Sequence, residues 1–214
     1  MQYNLDFLAK KGTNGKTPLE QYNDILTLLE KKQSAQNEDL KQSAQNEDFR
    51  KAFNAFFITA PVNNEWRARF YELFEEVRND PKKQSFDYVI GELYRKNGKK
   101  RVDGSFCSKM LAVLDSQKPI IDQYVLWQMG YNVKAVENKK GDDKLEFYKK
   151  AYKEIQEQYQ KALKLATVQE AINAFDQRFS DYKEMSNVKK LDFLLWSNRK
   201  DRIPSVFEYE ALKG

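Results

Sequence analysis

Asp122 stands where an apolar helix begins. The stretch from Gly104 to Gly130, GSFCSKMLAVLDSQKPIIDQYVLWQMG, reads as an apolar helix, a short loop containing Pro119, and a second apolar helix that starts at Asp122. A lone acid in that position has two readings. It is a helix-start charge, worth about 0.3–1 kcal/mol through the helix dipole. Or it is the working group of an active site, where a carboxylate stabilises developing positive charge and orients or deprotonates water. The residues alone leave both open.

What the chain lacks narrows the chemistry. It has no histidine and one cysteine, Cys107. Ser-His-Asp catalysis, Cys-His catalysis and His-ligated metal sites are excluded. A single thiol cannot build a cysteine zinc site. Any general acid or base must be Asp, Glu, Lys, Tyr or Cys107. Gly98 and Gly104 are isolated, so no Gly-rich phosphate loop is read. No metal and no cofactor are expected.

The second group with chemical potential is cationic. Lys and Arg number 37 against 32 Asp and Glu, a formal charge of +5. That excess is mild for a nucleic-acid binder, where the placement of charge matters more than its sum. Locally it is strong. Arg95-Lys96-Asn97-Gly98-Lys99-Lys100-Arg101 holds five cations in seven residues. This is a solvated loop whose cations suit a helix C-terminus, or a loop that contacts phosphates just before the Gly104–Gly130 segment.

These groups must be positioned by helices. Charged residues make up 32 % of the 214-residue chain, yet aromatics reach 14 %, and disordered chains are poor in aromatics. Thr17-Pro18-Leu19-Glu20 is a helix start, with Thr as N-cap, Pro at the first helical position and Glu two further on. Residues 32–49 read KQSAQNEDL then KQSAQNEDF, a tandem copy except for its last residue. Two nine-residue copies cannot build a stack, so the duplication lengthens a loop or extends the next helix. Phe49, Phe53, Phe56 and Phe57 follow at helical spacing, as a core stripe. Asn63 or Asn64 caps a helix with Trp66, Phe70, Leu73, Phe74 and Val77. Ser85 opens another, which Gly98 stops. A polar helix spans about residues 142–165, with Phe147, Tyr148, Ala151, Tyr152, Ile155, Tyr159 and Leu163 as its seam. Thr167 and Glu170 read as a second capping box. A last helix covers about 186–198, and a tail from Pro204 carries Val206, Phe207 and Tyr209. No stretch alternates with a period of two over strand length.

The segment SFCSKMLAVLDSQKPIIDQYVLWQMG resembles the helix–hairpin–helix DNA glycosylase superfamily. Phe106, Cys107, Met110, Leu111 and Leu114 match the helix that follows the family's hairpin. Lys118-Pro119-Ile120-Ile121-Asp122 matches its loop and acid, and Val125 and Leu126 match the next helix. The resemblance implies that Asp122 is the catalytic aspartate of an N-glycosidic cleavage, and that the target base is flipped into a pocket, with Phe106, Tyr124 and Trp127 as aromatic candidates. It also has departures. The family's hairpin carries a Gly-apolar-Gly core, whereas this chain has Lys100-Arg101-Val102-Asp103-Gly104. The lysine nucleophile of bifunctional members aligns with Gly104 or Ser105, and Lys109 lies a helical turn beyond. A monofunctional enzyme without lyase activity is implied. The iron–sulfur cysteines of some members are absent.

The expectations are then concrete. The fold is all-α, a multi-helix globular domain over residues 1–214. Its lobes are drawn as 1–81 plus the C-terminal helices, and 82–165. The function is a divergent DNA-glycosylase-like repair protein with Asp122 catalytic and Lys99, Lys100, Arg101, Lys109 and Lys118 contacting duplex DNA. The alternatives are a non-catalytic helical nucleic-acid-binding domain and an unrelated protein-interaction domain. No run approaches about 18 apolar residues, so no membrane partner is expected. The N-terminus carries no signal-peptide pattern. One cysteine suits a reducing cytoplasm.

Overall fold

Helices begin where a side-chain oxygen can take up the first unpaired backbone amides, and this chain supplies such oxygens repeatedly. The computed structural model describes residues 3–30, 46–57 and 61–199. Among them are eleven α-helices and no strand, so the all-α expectation holds. In chain order they are α1 Leu5–Ala9, α2 Pro18–Glu30, α3 Glu47–Phe57, α4 Asn64–Asn79, α5 Phe86–Lys96, α6 Gly104–Leu114, α7 Gln123–Gln128, α8 Val133–Asn138, α9 Gly141–Ala162, α10 Ala166–Arg178 and α11 Asn187–Ser197.

The Thr17 box forms at α2: the Thr17 amide donates to Glu20 Oε2 at 2.6 Å and the Glu20 amide to Thr17 Oγ1 at 3.2 Å. Asn63 caps α4 through the Trp66 amide at 2.8 Å, and Ser85 caps α5 through that of Tyr88 at 3.2 Å. The last residues of the second copy lead into the next helix, with Asn46 accepting from the Phe49 amide at 3.0 Å and Phe49 buried, while residues 41–45 lie outside the described residues. The first copy and the tail from Pro204 lie outside the described residues.

One reading needs correction. Thr167 and Glu170 form no capping box. Leu165 precedes α10 and caps it without a side-chain hydrogen bond, because a backbone turn through residues 161–165 starts the helix two residues earlier. The connection after Gly130 is itself helical: Asn132 accepts from the Ala135 amide at 3.2 Å and opens α8.

The chain divides into two units, residues 10–114 and residues 1–9 with 115–214. The division therefore falls after Leu114 and not at residue 81. Pro81 sits in a single 3-10 turn between α4 and α5, and those helices pack on each other inside one unit. That unit, α2–α6, has an aromatic core. The Phe53 ring lies 4.9 Å from Phe57, 5.6 Å from Phe70 and 5.8 Å from Phe49 and Phe74. Trp66 stacks on Phe70 at 5.1 Å.

The other unit packs α1 and α7–α11, with α11 buried nearly all round. Its N-terminal segment joins through the Asn4 amide, which donates to Asn198 Oδ1 at 2.7 Å, and through Phe7, edge-on to Trp196 at 4.8 Å. No helix among the described residues is long and apolar enough to cross a membrane.

Candidate functional site

Asp122 has extended backbone angles and is the N-cap of α7. Its Oδ1 accepts from the amides of Tyr124 at 2.9 Å and Val125 at 3.0 Å. Both bonds fall on one oxygen. Among the described residues Oδ2 accepts no hydrogen bond, and the side chain is half-buried. The carboxylate is thus fixed by one oxygen and free at the other.

The loop before it is held unusually well for a connection. Asp115 starts it, taking the Gln117 amide on Oδ1 at 2.9 Å. Ser186 Oγ donates to the Ser116 carbonyl at 2.5 Å. The Tyr152 hydroxyl donates to the Pro119 carbonyl at 3.1 Å. The Ile120 amide donates to Asp192 Oδ1 at 3.2 Å. Side chains of α9, α11 and the α11 N-cap therefore take up three backbone polar groups within Ser116–Ile120, and Ile121 is fully buried. A loop normally leaves such groups to water.

Asp192 is the centre of this arrangement. Besides Ile120, its Oδ1 accepts from the Tyr159 hydroxyl at 2.8 Å, and its Oδ2 accepts from Lys189 Nζ at 2.5 Å. Lys189 is 1 % exposed and Asp192 7 %. Burial pushes the Asp192 carboxyl above its usual range; Lys189, Tyr159 and the Ile120 amide pull against that. Burial, reinforced by Asp192, raises the Tyr159 hydroxyl well above tyrosine's usual value and raises that of Tyr152 likewise. Both phenols therefore stay protonated and remain donors.

Sequence reasoning placed Tyr152 and Tyr159 in an apolar seam and did not select Lys189 or Asp192. The only signal was their i,i+3 spacing on a helix otherwise rich in apolar residues. A separate buried lysine, Lys190, pairs with Asp176 at 2.6 Å and donates to the Lys183 carbonyl at 2.7 Å, away from the loop's hydrogen bonds.

The expected DNA-contacting residues divide between the units. Lys118 lies in the Asp122 loop, half-buried. Lys99, Lys100, Arg101 and Lys109 belong to residues 10–114. Gly98 (φ 63°) and Lys99 (φ 57°) are both left-handed. The Gly98 amide bonds to the Arg95 carbonyl at 3.0 Å and the Lys99 amide to that of Tyr94 at 2.9 Å, closing α5 in a Schellman turn. Lys99 and Lys100 are exposed beyond it.

Arg101 and Lys109 meet at the Phe106 ring, 5.8 and 5.5 Å from its centroid. Each already serves its own unit. Arg101 pairs with Asp103, which also accepts from Trp66 Nε1 at 2.8 Å and is buried at the start of α6. Lys109 Nζ donates to the Phe57 carbonyl, the last of α3, at 3.0 Å. Of the aromatic candidates, Phe106 is buried and Tyr124 and Trp127 are half-buried on α7. Cys107 is fully buried, and burial pushes its thiol well up, so it is no nucleophile. Among the described residues no three His, Cys, Asp or Glu side chains come together as a metal site.

Comparison with protein-family models, curated proteins and solved structures finds no match for this chain.

Proposed function

We propose that this chain is a divergent DNA-glycosylase-like protein that binds duplex DNA and uses Asp122 as its single working carboxylate. The observation that carries this reading is the state of that side chain. One oxygen is held by two helix amides, the other is free, and the preceding loop is clamped at Ser116, Pro119 and Ile120. A carboxylate so placed suits a reaction in which positive charge builds on a sugar as its bond to a base lengthens. Oδ2 stabilises that charge and takes the proton from the water that adds to the sugar carbon, while the base leaves with the bonding electrons. Lys99 and Lys100 serve as phosphate contacts, since Arg101 and Lys109 are engaged within their own unit. The sequence resemblance over residues 104–130 supports the same assignment.

The test is excision from duplexes carrying uracil, alkylated or oxidised bases. Asp122→Asn keeps the cap and removes the charge; excision is expected to be abolished with DNA affinity unchanged. The product is an intact abasic strand, and borohydride traps no adduct. Lys99→Ala with Lys100→Ala is expected to weaken binding and lower its salt slope by up to about two phosphate contacts.

A second reading has its own observation. Asp122 is complete as an N-cap, and capping alone accounts for its conservative geometry. On that reading the chain is a non-catalytic helical domain that binds nucleic acid or protein. Wild-type protein that binds DNA with a salt dependence yet leaves every lesion intact would establish it, and absence of DNA binding as well would leave protein interaction.

A further inference from the structure

In the unit formed by residues 1–9 and 115–214, four buried polar side chains, Tyr152, Tyr159, Lys189 and Asp192, are tied to a few residues of loop. Tyr152 from α9 holds the Pro119 carbonyl, and Asp192 from α11 holds the Ile120 amide next to it. Tyr159 and Lys189 hold Asp192 in turn, one on each oxygen. A buried ion pair is costly to desolvate, and apolar residues of similar volume often serve stability as well. Its directionality is what apolar packing lacks: a carboxylate with three donors fixes where each donor must sit. Here one donor is the backbone two residues before Asp122.

We infer that Asp192 is the positioning residue for Asp122, acting through the Ile120 amide, with Lys189 and Tyr159 orienting its carboxylate and Tyr152 securing the adjoining carbonyl. This rests on the reading of Asp122 as the working carboxylate. The network touches no reacting atom. It keeps the Pro119–Asp122 backbone from shifting, so that Oδ2 meets the sugar where charge develops, and displacements of about 1 Å at such a group cost on the order of a hundredfold in rate.

The experiment compares full-length wild type with Asp192→Asn, Tyr152→Phe and Asp176→Asn. Asp176→Asn disturbs the other buried lysine pair and controls for general loss of stability. Two quantities are read: single-turnover excision with duplex affinity measured alongside, and hydrogen exchange at the amides of Ile120, Tyr124 and Val125. Asp192→Asn is expected to slow excision by about 10- to 100-fold with affinity within about twofold of wild type, and to speed exchange at all three amides. Tyr152→Phe, which keeps the ion pair and the fold, should act in the same direction more weakly. Asp176→Asn should change neither. If wild type excises and both Asp192→Asn and Tyr152→Phe excise at its rate, the positioning role is overturned and the Asp122 reading stands. If Asp176→Asn slows excision as much as Asp192→Asn, the effect is general destabilisation and the inference also falls. Wild type inert on every lesion overturns the Asp122 reading and the inference with it.

Discussion

Residues 10–114 bury rings, and the unit formed by residues 1–9 and 115–214 buries a charge network. In the first, Phe49, Phe53, Phe57, Phe70 and Phe74 meet within 4.9–6.2 Å of one another where their rings touch, mostly edge-on or tilted. Its buried carboxylate, Asp103, serves locally, tying Trp66 and Arg101 to the start of α6. In the second, Lys189, Asp192, Tyr152 and Tyr159 are buried together and reach out to the backbone of a loop. Apolar burial is strong but non-directional, so an aromatic core holds helices together without dictating where one carbonyl points. A satisfied polar network contributes less net stability and more geometry. The unit with the network is the one in which buried side chains hold the backbone of a loop.

The largest effect should come from the aromatic core. Phe53→Ala removes a ring packed against five others and is expected to cost about 3–5 kcal/mol, read by urea unfolding. A loss under about 1 kcal/mol would mean the core is not shared in this way.

Next is the ion pair. Lys189→Met strands a buried carboxylate and should cost about 3 kcal/mol. Lys189→Met with Asp192→Leu should recover most of that stability while the Ile120 amide still exchanges faster than in wild type. Recovery of both would show that the network serves stability alone.

Helix caps give a smaller and even-handed comparison. Asn63→Ala in one unit and Asp122→Ala in the other should each cost about 1 kcal/mol by the same unfolding measurement. A gain in stability from Asp122→Ala would mark that carboxylate as held at a cost, which strengthens its functional assignment.

The smallest effect is a pH dependence. A hydrogen bond from Tyr88, then one from Lys83, lowers the Glu76 carboxyl from its usual 4.5 to about 2. The folded form therefore binds fewer protons than the unfolded chain between those values, so this contribution is present above pH 4.5 and lost as pH falls toward 2. Glu76→Gln should lower Tm slightly at pH 7 and be indistinguishable from wild type near pH 2. A constant difference at both would sever Glu76 from the acid dependence.

Much of this molecule could be read along the chain. Thr17, Asn63, Ser85 and Ser186 begin helices because a short oxygen-bearing side chain reaches amides two or three residues ahead, an event contained within one turn. Gly98 ends α5 because it accepts a left-handed backbone at no steric cost. The Phe49–Phe57 stripe lies inward because its spacing matches the helical repeat. Asp122 at a helix start was legible for the same reason, since capping is local.

Tertiary structure decided what those same residues are set against. Lys189 and Asp192 stand three apart, like any solvated helix pair, and their sequence does not record that other segments exclude water from them. Tyr152 and Tyr159 were readable as apolar seam because their rings are apolar. Where their hydroxyls point depends on a loop 33 residues away for Tyr152 and a helix 33 residues away for Tyr159. Arg101 and Lys109 looked like free cations until Asp103, Trp66 and the end of α3 were folded against them. Caps and periodicity follow from bond geometry over a few residues. Burial follows from which distant segments displace water, and that sets whether a charge is a solvated ornament or a fixed point of the fold.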